Sequence, residues 1–198
     1  MSLLGLALVY LIGSIPVGFL IARAAGGFDI RGKGSGNIGA TNVLRTLGAV
    51  PAVLTLLGDV AKGYVAVRAA EVIGPEPVWG AAGVLLAIVG NCWPIFLRFK
   101  GGKGVATALG AFLALAPKAV LVAMAVWIVL TAAFRYVSLA STVACVAFAI
   151  SVWLLGYPQA YGVAAGCAAA LIVWRHRENV KRLLSGTEHR LGERATTA

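Results

Sequence analysis

Residues 3–22, LLGLALVYLIGSIPVGFLIA, run for twenty positions without one charged side chain. A bilayer core takes roughly 20 apolar helical residues per crossing, so such a stretch constrains the fold more tightly than any motif. Six further segments repeat the pattern, at 49–70, 78–97, 105–116, 119–134, 137–155 and 159–174. Short connections marked by Gly and Pro, such as IGPEP and LLGYP, separate them. Lipid offers backbone N–H and C=O groups no partner, so each crossing must close its own hydrogen bonds as a helix. The expected architecture is an all-α polytopic integral membrane protein of about seven transmembrane helices, one of them short, in a single domain over residues 1–198. The segment 105–116 is too short to span alone. Composition agrees, with 60% hydrophobic and 12% charged residues against about a quarter charged in soluble domains.

A net charge of +10 suits a nucleic-acid binder, but the distribution of the cations argues for a membrane instead. With seven crossings, Arg23, Arg31, Lys33, Arg45, Arg98, Lys100, Lys103 and Arg135 fall on one side. The tail adds six more after Trp174, and the opposite side holds Lys118 with Glu71 and Glu76 nearby. The positive-inside rule then puts the amino terminus outside and the carboxyl terminus in the cytoplasm. No Lys or Arg precedes residues 3–22, which are also longer than a usual signal-peptide core, so they read as a retained first span. Cys92, Cys145 and Cys167 fall in apolar segments without metal spacing and read as small buried hydrophobes.

The residues capable of chemistry gather on the cytoplasmic side. In RGKGSGNIGATN, residues 31–42, glycines allow backbone amides to converge on an anion. A short helix from Ala40 to a stop at Gly48 then sets Thr41 and Arg45 one turn apart, with Asn42 beside them. Together with Ser35, Gly36 and Asn37 they suit a phosphate at a helix amino terminus. FKGGKGVATALG repeats the theme, with Gly101, Gly102 and Gly104 around Lys103 and a helix starting at Val105. This is no nucleotide loop of the Walker type, since Leu97 stands where the first Gly belongs and Gly104 where a Ser or Thr holds magnesium.

A third stretch, WRHRENVKRLLSGTEHR, places His176 and Asn179 on one helical face if the last span continues past Trp174, and lets Glu178 pair with Arg182 on the solvent side. His176 is a candidate for proton handling, or for anion binding when protonated. Ser138 and Ser141, in RYVSLAST, lie within one turn of each other and face either a substrate or their own helix. Asp59 and Lys62 read as a buried mutual pair that fixes packing.

Taken together, GSGNIGATN, FKGGKGVAT and HRENVKRL, supported by DVAKG, RYVSLAS and GTEHR, resemble the bacterial acyl-phosphate:glycerol-3-phosphate acyltransferases, the PlsY family. The motifs occur in the family's order and span nearly the whole chain. Ile38 stands where the family commonly has Pro, and Asn91, in GNCWP, where a His is common. The resemblance implies acyl transfer from acyl phosphate to the sn-1 hydroxyl of glycerol 3-phosphate, giving lysophosphatidic acid and phosphate. It implies catalytic roles for His176, Asn179, Lys103 and Arg45, and substrate binding by Ser35, Gly36, Asn37, Thr41, Asn42, Gly101, Gly102, Gly104 and Ser141. The expected partners are those two substrates and membrane lipids, with no metal, cofactor, nucleic acid or obligate protein partner. The expected location is the bacterial inner membrane, with the site facing the cytoplasm.

The mixed anhydride already carries a good leaving group, and no Ser-His-Asp set is evident, so direct attack without a covalent enzyme intermediate is expected. Either His176 or the departing phosphate takes the proton. A transporter for phosphorylated anions is the rival class, because half-helix ends also face anions there. It calls for a site at the bilayer midplane and inverted halves, whereas the polar residues here crowd one interface.

Overall fold

The computed structural model describes residues 2–193, and among these all regular structure is helical. The chain opens with α1, Ser2–Ser14, and α2, Val17–Gly26, which share one apolar stretch broken at Ile15 and Pro16. Proline lacks an N–H and its ring crowds the preceding turn, so the helix ladder is interrupted there. The other helices are α3, Ala40–Leu47; α4, Ala49–Ile73; α5, Pro77–Cys92; α6, Val105–Leu115; α7, Pro117–Phe134; α8, Val137–Leu154; α9, Gln159–Arg175; and α10, Arg177–Leu184.

Leu3–Gly26, Ala49–Ile73, Pro77–Leu97, Pro117–Phe134 and Val137–Leu154 are long and apolar enough to cross a bilayer. The first of these differs from the expected single helix over 3–22 by the break at Pro16. α6 is shorter, as its sequence requires, and α9 has 17 residues. Large apolar side chains on α7 such as Leu121, Ile128 and Val129 point outward, where lipid rather than water is their solvent.

The core lies between α4, α5, α6, α8 and α9, with Val67, Val84, Ile88, Phe112, Phe148, Val152 and Ile172 buried together. Phe112 and Phe148 bring their rings to 4.4 Å. Lipid tails are as apolar as Leu, so helix pairs in a bilayer gain mainly from close backbone approach over small residues. α4 and α6 show this directly. A β-carbon on Gly63 would collide with the Thr107 carbonyl, and one on Gly110 with the Val60 carbonyl.

Charges inside this scaffold are paired. Lys62 Nζ lies 2.8 Å from Asp59 Oδ1, both nearly fully buried, which is the pair expected from their spacing. Arg68, near the other end of α4, sits 2.6 Å from Glu71, so the side assigned Lys118 alone carries a second cation that its neighbour neutralises. Cys92 is buried and Cys145 half-buried, but Cys167 is exposed on α9, contrary to the expectation for all three. Of the tail cations, Arg194 lies outside the described residues.

The α4 and α6 contact sets a stability test. Gly110→Val forces the two backbones apart and should cost about 1 to 3 kcal/mol, read as a lower Tm in detergent micelles. Gly166→Ala, where a β-carbon meets nothing within 4 Å, should leave Tm unchanged or raise it.

Candidate functional site

The first loop is shaped from within. A 3-10 turn, Ile30–Gly32, is capped by Asp29, whose carboxylate accepts from the Arg31 amide at 2.9 Å and holds its guanidinium at 2.6 Å. Gly34 and Gly36 take positive φ, 55° and 71°, which turns the chain back toward α3. Asn42, in the first turn of α3, reaches into that bend. Its Oδ1 accepts from the Ser35 amide at 2.9 Å, and its Nδ2 donates to the Lys33 and Asn37 carbonyls at 3.0 and 2.8 Å.

Asn42 is therefore buried and occupied by the loop itself, where the sequence suggested an amide offered to substrate. Asn37 is used similarly, its Oδ1 accepting from the Gly39 amide at 2.8 Å. What the loop presents outward is Ser35, Gly36 and Thr41, all exposed, and half-buried Arg45 one turn along α3. Among the described residues, the Ala40 and Thr41 amides at the start of α3 meet no backbone carbonyl.

The second loop is bent against the end of α5. The Gly101 amide donates to the Cys92 carbonyl at 3.2 Å and the Gly102 amide to the Asn91 carbonyl at 2.9 Å. These two amides are thus spent internally rather than aimed at a ligand. Arg175 holds the other side, donating to the Gly101 and Gly102 carbonyls at 3.2 and 2.8 Å while its guanidinium lies 5.5 Å from the Trp93 ring. Gly104 caps α6 at φ 83°, a conformation L side chains rarely adopt. Among the described residues, the Lys103 and Gly104 amides meet no backbone carbonyl and lead into the free first turn of α6.

The third stretch closes the site. His176 sits at the kink between α9 and α10, so the expected continuous helix is two helices, yet His176 and Asn179 are both buried on the inward side. His176 Nδ1 lies 2.8 Å from the Ile172 carbonyl. A carbonyl only accepts, so the proton is on Nδ1 and Nε2 keeps its lone pair. Lys103 Nζ donates to Asn179 Oδ1, which joins the second and third stretches.

Sequence reasoning missed Glu188 as a member of this group. Its carboxylate accepts from Ser138 Oγ at 2.8 Å, Asn179 Nδ2 at 2.6 Å and Arg182 Nε at 2.7 Å. Arg182 therefore does not pair with Glu178, which lies 3.3 Å from Lys181 instead. The chain has only seven acidic residues, and a Glu inside a basic tail was the available signal. Ser141 stands apart from these contacts, its Oγ accepting from Trp127 Nε1 at 3.2 Å.

The electrostatics follow from crowding cations near the membrane surface. Lys103 lies within electrostatic reach of Glu188, Arg182, Arg175 and Arg45, so the first loop's cation shares the field of the second and third stretches. Burial first, then the three arginines, lowers the Lys103 ammonium to about 8. Burial and Lys103 push His176 down to about 4, which leaves the imidazole neutral near pH 7. Burial opposes the charge on Glu188, but the bonds from Asn179, Ser138 and Arg182 hold its carboxyl below the usual range.

A cluster of cations and free helix-start amides thus lies beside a neutral His, an arrangement suited to an anionic ligand. The glycerol-3-phosphate acyltransferase family profile matches residues 3–186. The chain belongs to that family. Glycerol-3-phosphate acyltransferase 2 of Moorella thermoacetica is 48% identical over 195 residues, covering 98% of this chain and all of the relative. The glycerol-3-phosphate acyltransferase of Rubrobacter xylanophilus is 47% identical over 186 residues, covering 94% of this chain and 93% of the relative. The crystal structure of PlsY, an integral membrane glycerol 3-phosphate acyltransferase, in its glycerol 3-phosphate form matches with a TM-score of 0.91 at 42% identity, covering 96% of each chain. Its lysophosphatidic acid form matches with a TM-score of 0.88 at 41% identity, over 96% of this chain and 95% of that one.

The Lys103 value sets the direction of a pH test. The Lys103 cation is present below about 8 and lost as pH rises through it, so affinity for a phosphate dianion should fall between pH 7 and 9.5. Calorimetric titration of glycerol 3-phosphate across that range should show the fall in the wild type and a flatter profile in Lys103→Arg, whose guanidinium stays charged. A wild-type affinity constant up to pH 9.5 would remove Lys103 from the phosphate site.

Proposed function

We propose that this chain is an integral membrane glycerol-3-phosphate acyltransferase of phospholipid synthesis that uses acyl phosphate as donor. In this reading it acylates the sn-1 hydroxyl and releases lysophosphatidic acid and inorganic phosphate. The observation that carries the proposal is the bridge from Lys103 to Asn179 with Arg45 in the same field. That bridge joins the second and third polar stretches, and Arg45 brings the first into the same field, although the sequence scatters them over some 150 residues. The family membership and the glycerol 3-phosphate form of its structural relative support the choice of acceptor.

Two phosphorylated substrates bring roughly three to four negative charges at neutral pH, given a second phosphate pKa near 6. Arg45 and Lys103 supply the positive field, with Ser35, Gly36, Asn37, Thr41, Asn42, Gly101, Gly102, Gly104 and Ser141 completing or shaping the walls. The glycerol hydroxyl oxygen attacks the acyl carbon, its new C–O bond forming as the C–O bond to phosphate breaks. The hydroxyl proton leaves to a base, and phosphate departs. A neutral His176 with a pKa of about 4 is a weaker base than a phosphate dianion, so the departing phosphate is the better acceptor. His176 Nε2 then accepts the hydroxyl hydrogen bond and orients it, while Asn179 keeps Lys103 in place.

The charge asymmetry supports seven crossings with the amino terminus outside, the carboxyl terminus in the cytoplasm and the site at the cytoplasmic face of a bacterial inner membrane. The purified protein, given acyl phosphate and glycerol 3-phosphate, should release phosphate only when both are present. Lys103→Ala, Arg45→Ala and His176→Ala should each lose 100-fold or more of kcat/KM. Release from acyl phosphate alone at the same rate would make it a hydrolase. Passage of glycerol 3-phosphate across liposomes without product would favour transport.

A further inference from the structure

The Asp59 and Lys62 pair does more than neutralise itself. Lys62 is 6% exposed in the middle of α4, and an ammonium has three donors to satisfy. One faces Asp59 Oδ1 at 2.8 Å on its own helix as an ion pair. The second goes to the Ile15 carbonyl at 2.7 Å, inside the break that Pro16 makes between α1 and α2. The third goes to Asn91 Oδ1 at 2.8 Å, in the last turn of α5. Neutralising a buried charge needs only the first of these. The other two tie α4 to two separate elements.

Asn91 passes the connection on. Its backbone carbonyl receives the Gly102 amide, and its Nδ2 lies where a β-carbon on Gly102 would come within 2.9 Å. That same β-carbon would meet Ile38 Cγ1 of the first loop at 3.5 Å. Gly102 is thus wedged between Asn91 and Ile38, with Arg175 fastening its carbonyl, and Lys103 is the next residue. We propose that Lys62 and Asn91 are positioning residues: their hydrogen bond, anchored on Asp59 and the Ile15 carbonyl, fixes the backbone that presents Lys103 to substrate. The inference rests on Lys103 being a phosphate-binding group.

The geometry gives the strut a direction. The Asn91 amide has its oxygen toward Lys62, because an ammonium only donates, and this leaves Nδ2 toward Gly102. Removing the side chain deprives Lys62 of an acceptor in a nearly dry site and frees Gly102 on one side. A histidine at 91 retains a nitrogen lone pair for Lys62, so it should keep the strut where alanine cannot.

The test compares wild type, Asn91→Ala, Asn91→His and Lys62→Met as full-length protein in detergent. The readouts are Tm, kcat and KM for both substrates, and hydrogen exchange of the backbone over 100–106. Asn91→Ala should lose at least ten-fold in kcat/KM for glycerol 3-phosphate, exchange faster over 100–106, and shift Tm by only a few degrees. Asn91→His should recover most of both losses. Lys62→Met should match Asn91→Ala, and should it fail to fold, the Asn91 pair decides alone. Wild-type activity and exchange in Asn91→Ala would overturn the inference, as would Asn91→His performing no better than Asn91→Ala. Absence of turnover in the wild type would instead sink the proposed function, and the exchange data would still decide the strut.

Discussion

Arg45, Lys103, Arg175 and Arg182 share one field in which Glu188, with Glu193 near Arg45, supplies the opposing charge, and that imbalance is the constraint on which the rest depends. Cations held this close repel one another, and burial removes the water that would screen them. The structure answers by bonding three of them, Arg182 through an ion pair and Arg175 and Lys103 through neutral acceptors that leave their charge in place. Arg175 is committed to glycine carbonyls and the Trp93 face, Arg182 to Glu188, and Lys103 to the neutral amide of Asn179. A residual positive field attracts dianions, and a neutral His lies beside it.

The two glycine loops reach this arrangement by different routes. The first folds around Asn42, whose side chain replaces the backbone bonds a regular element would have supplied. The second is pinned from both sides, its amides by the end of α5 and its carbonyls by Arg175. In both, glycine serves the approach of one backbone to another as much as any ligand. Rigidity of this kind matters wherever positioning and electrostatics carry the acceleration.

Much of this was legible in the chain itself. Apolar length marked the helices, because a bilayer leaves backbone no alternative, and spacing placed α3, the start of α6 and the buried pair at Asp59 and Lys62. The failures were of orientation and partnership. Asn42 and Gly102 were expected to offer polar groups to a ligand, yet those groups turn inward, which no one-dimensional spacing encodes. Glu188 reaches Ser138 and Asn179 across 50 and 9 positions, and Arg182 chooses it over the i, i+4 partner Glu178. The break at Pro16 was visible as a residue type, but its consequence, a carbonyl for Lys62, needed three helices in register.

The central claim is that the first and second loops form one phosphate site. A double-mutant cycle on glycerol 3-phosphate binding, measured calorimetrically for Arg45→Ala, Lys103→Ala and the combination, tests it most directly. Groups in one network couple by roughly 0.5 to 3 kcal/mol, whereas independent distant sites add. Clear non-additivity is expected. Additive losses, or binding that survives both changes, would contradict the account.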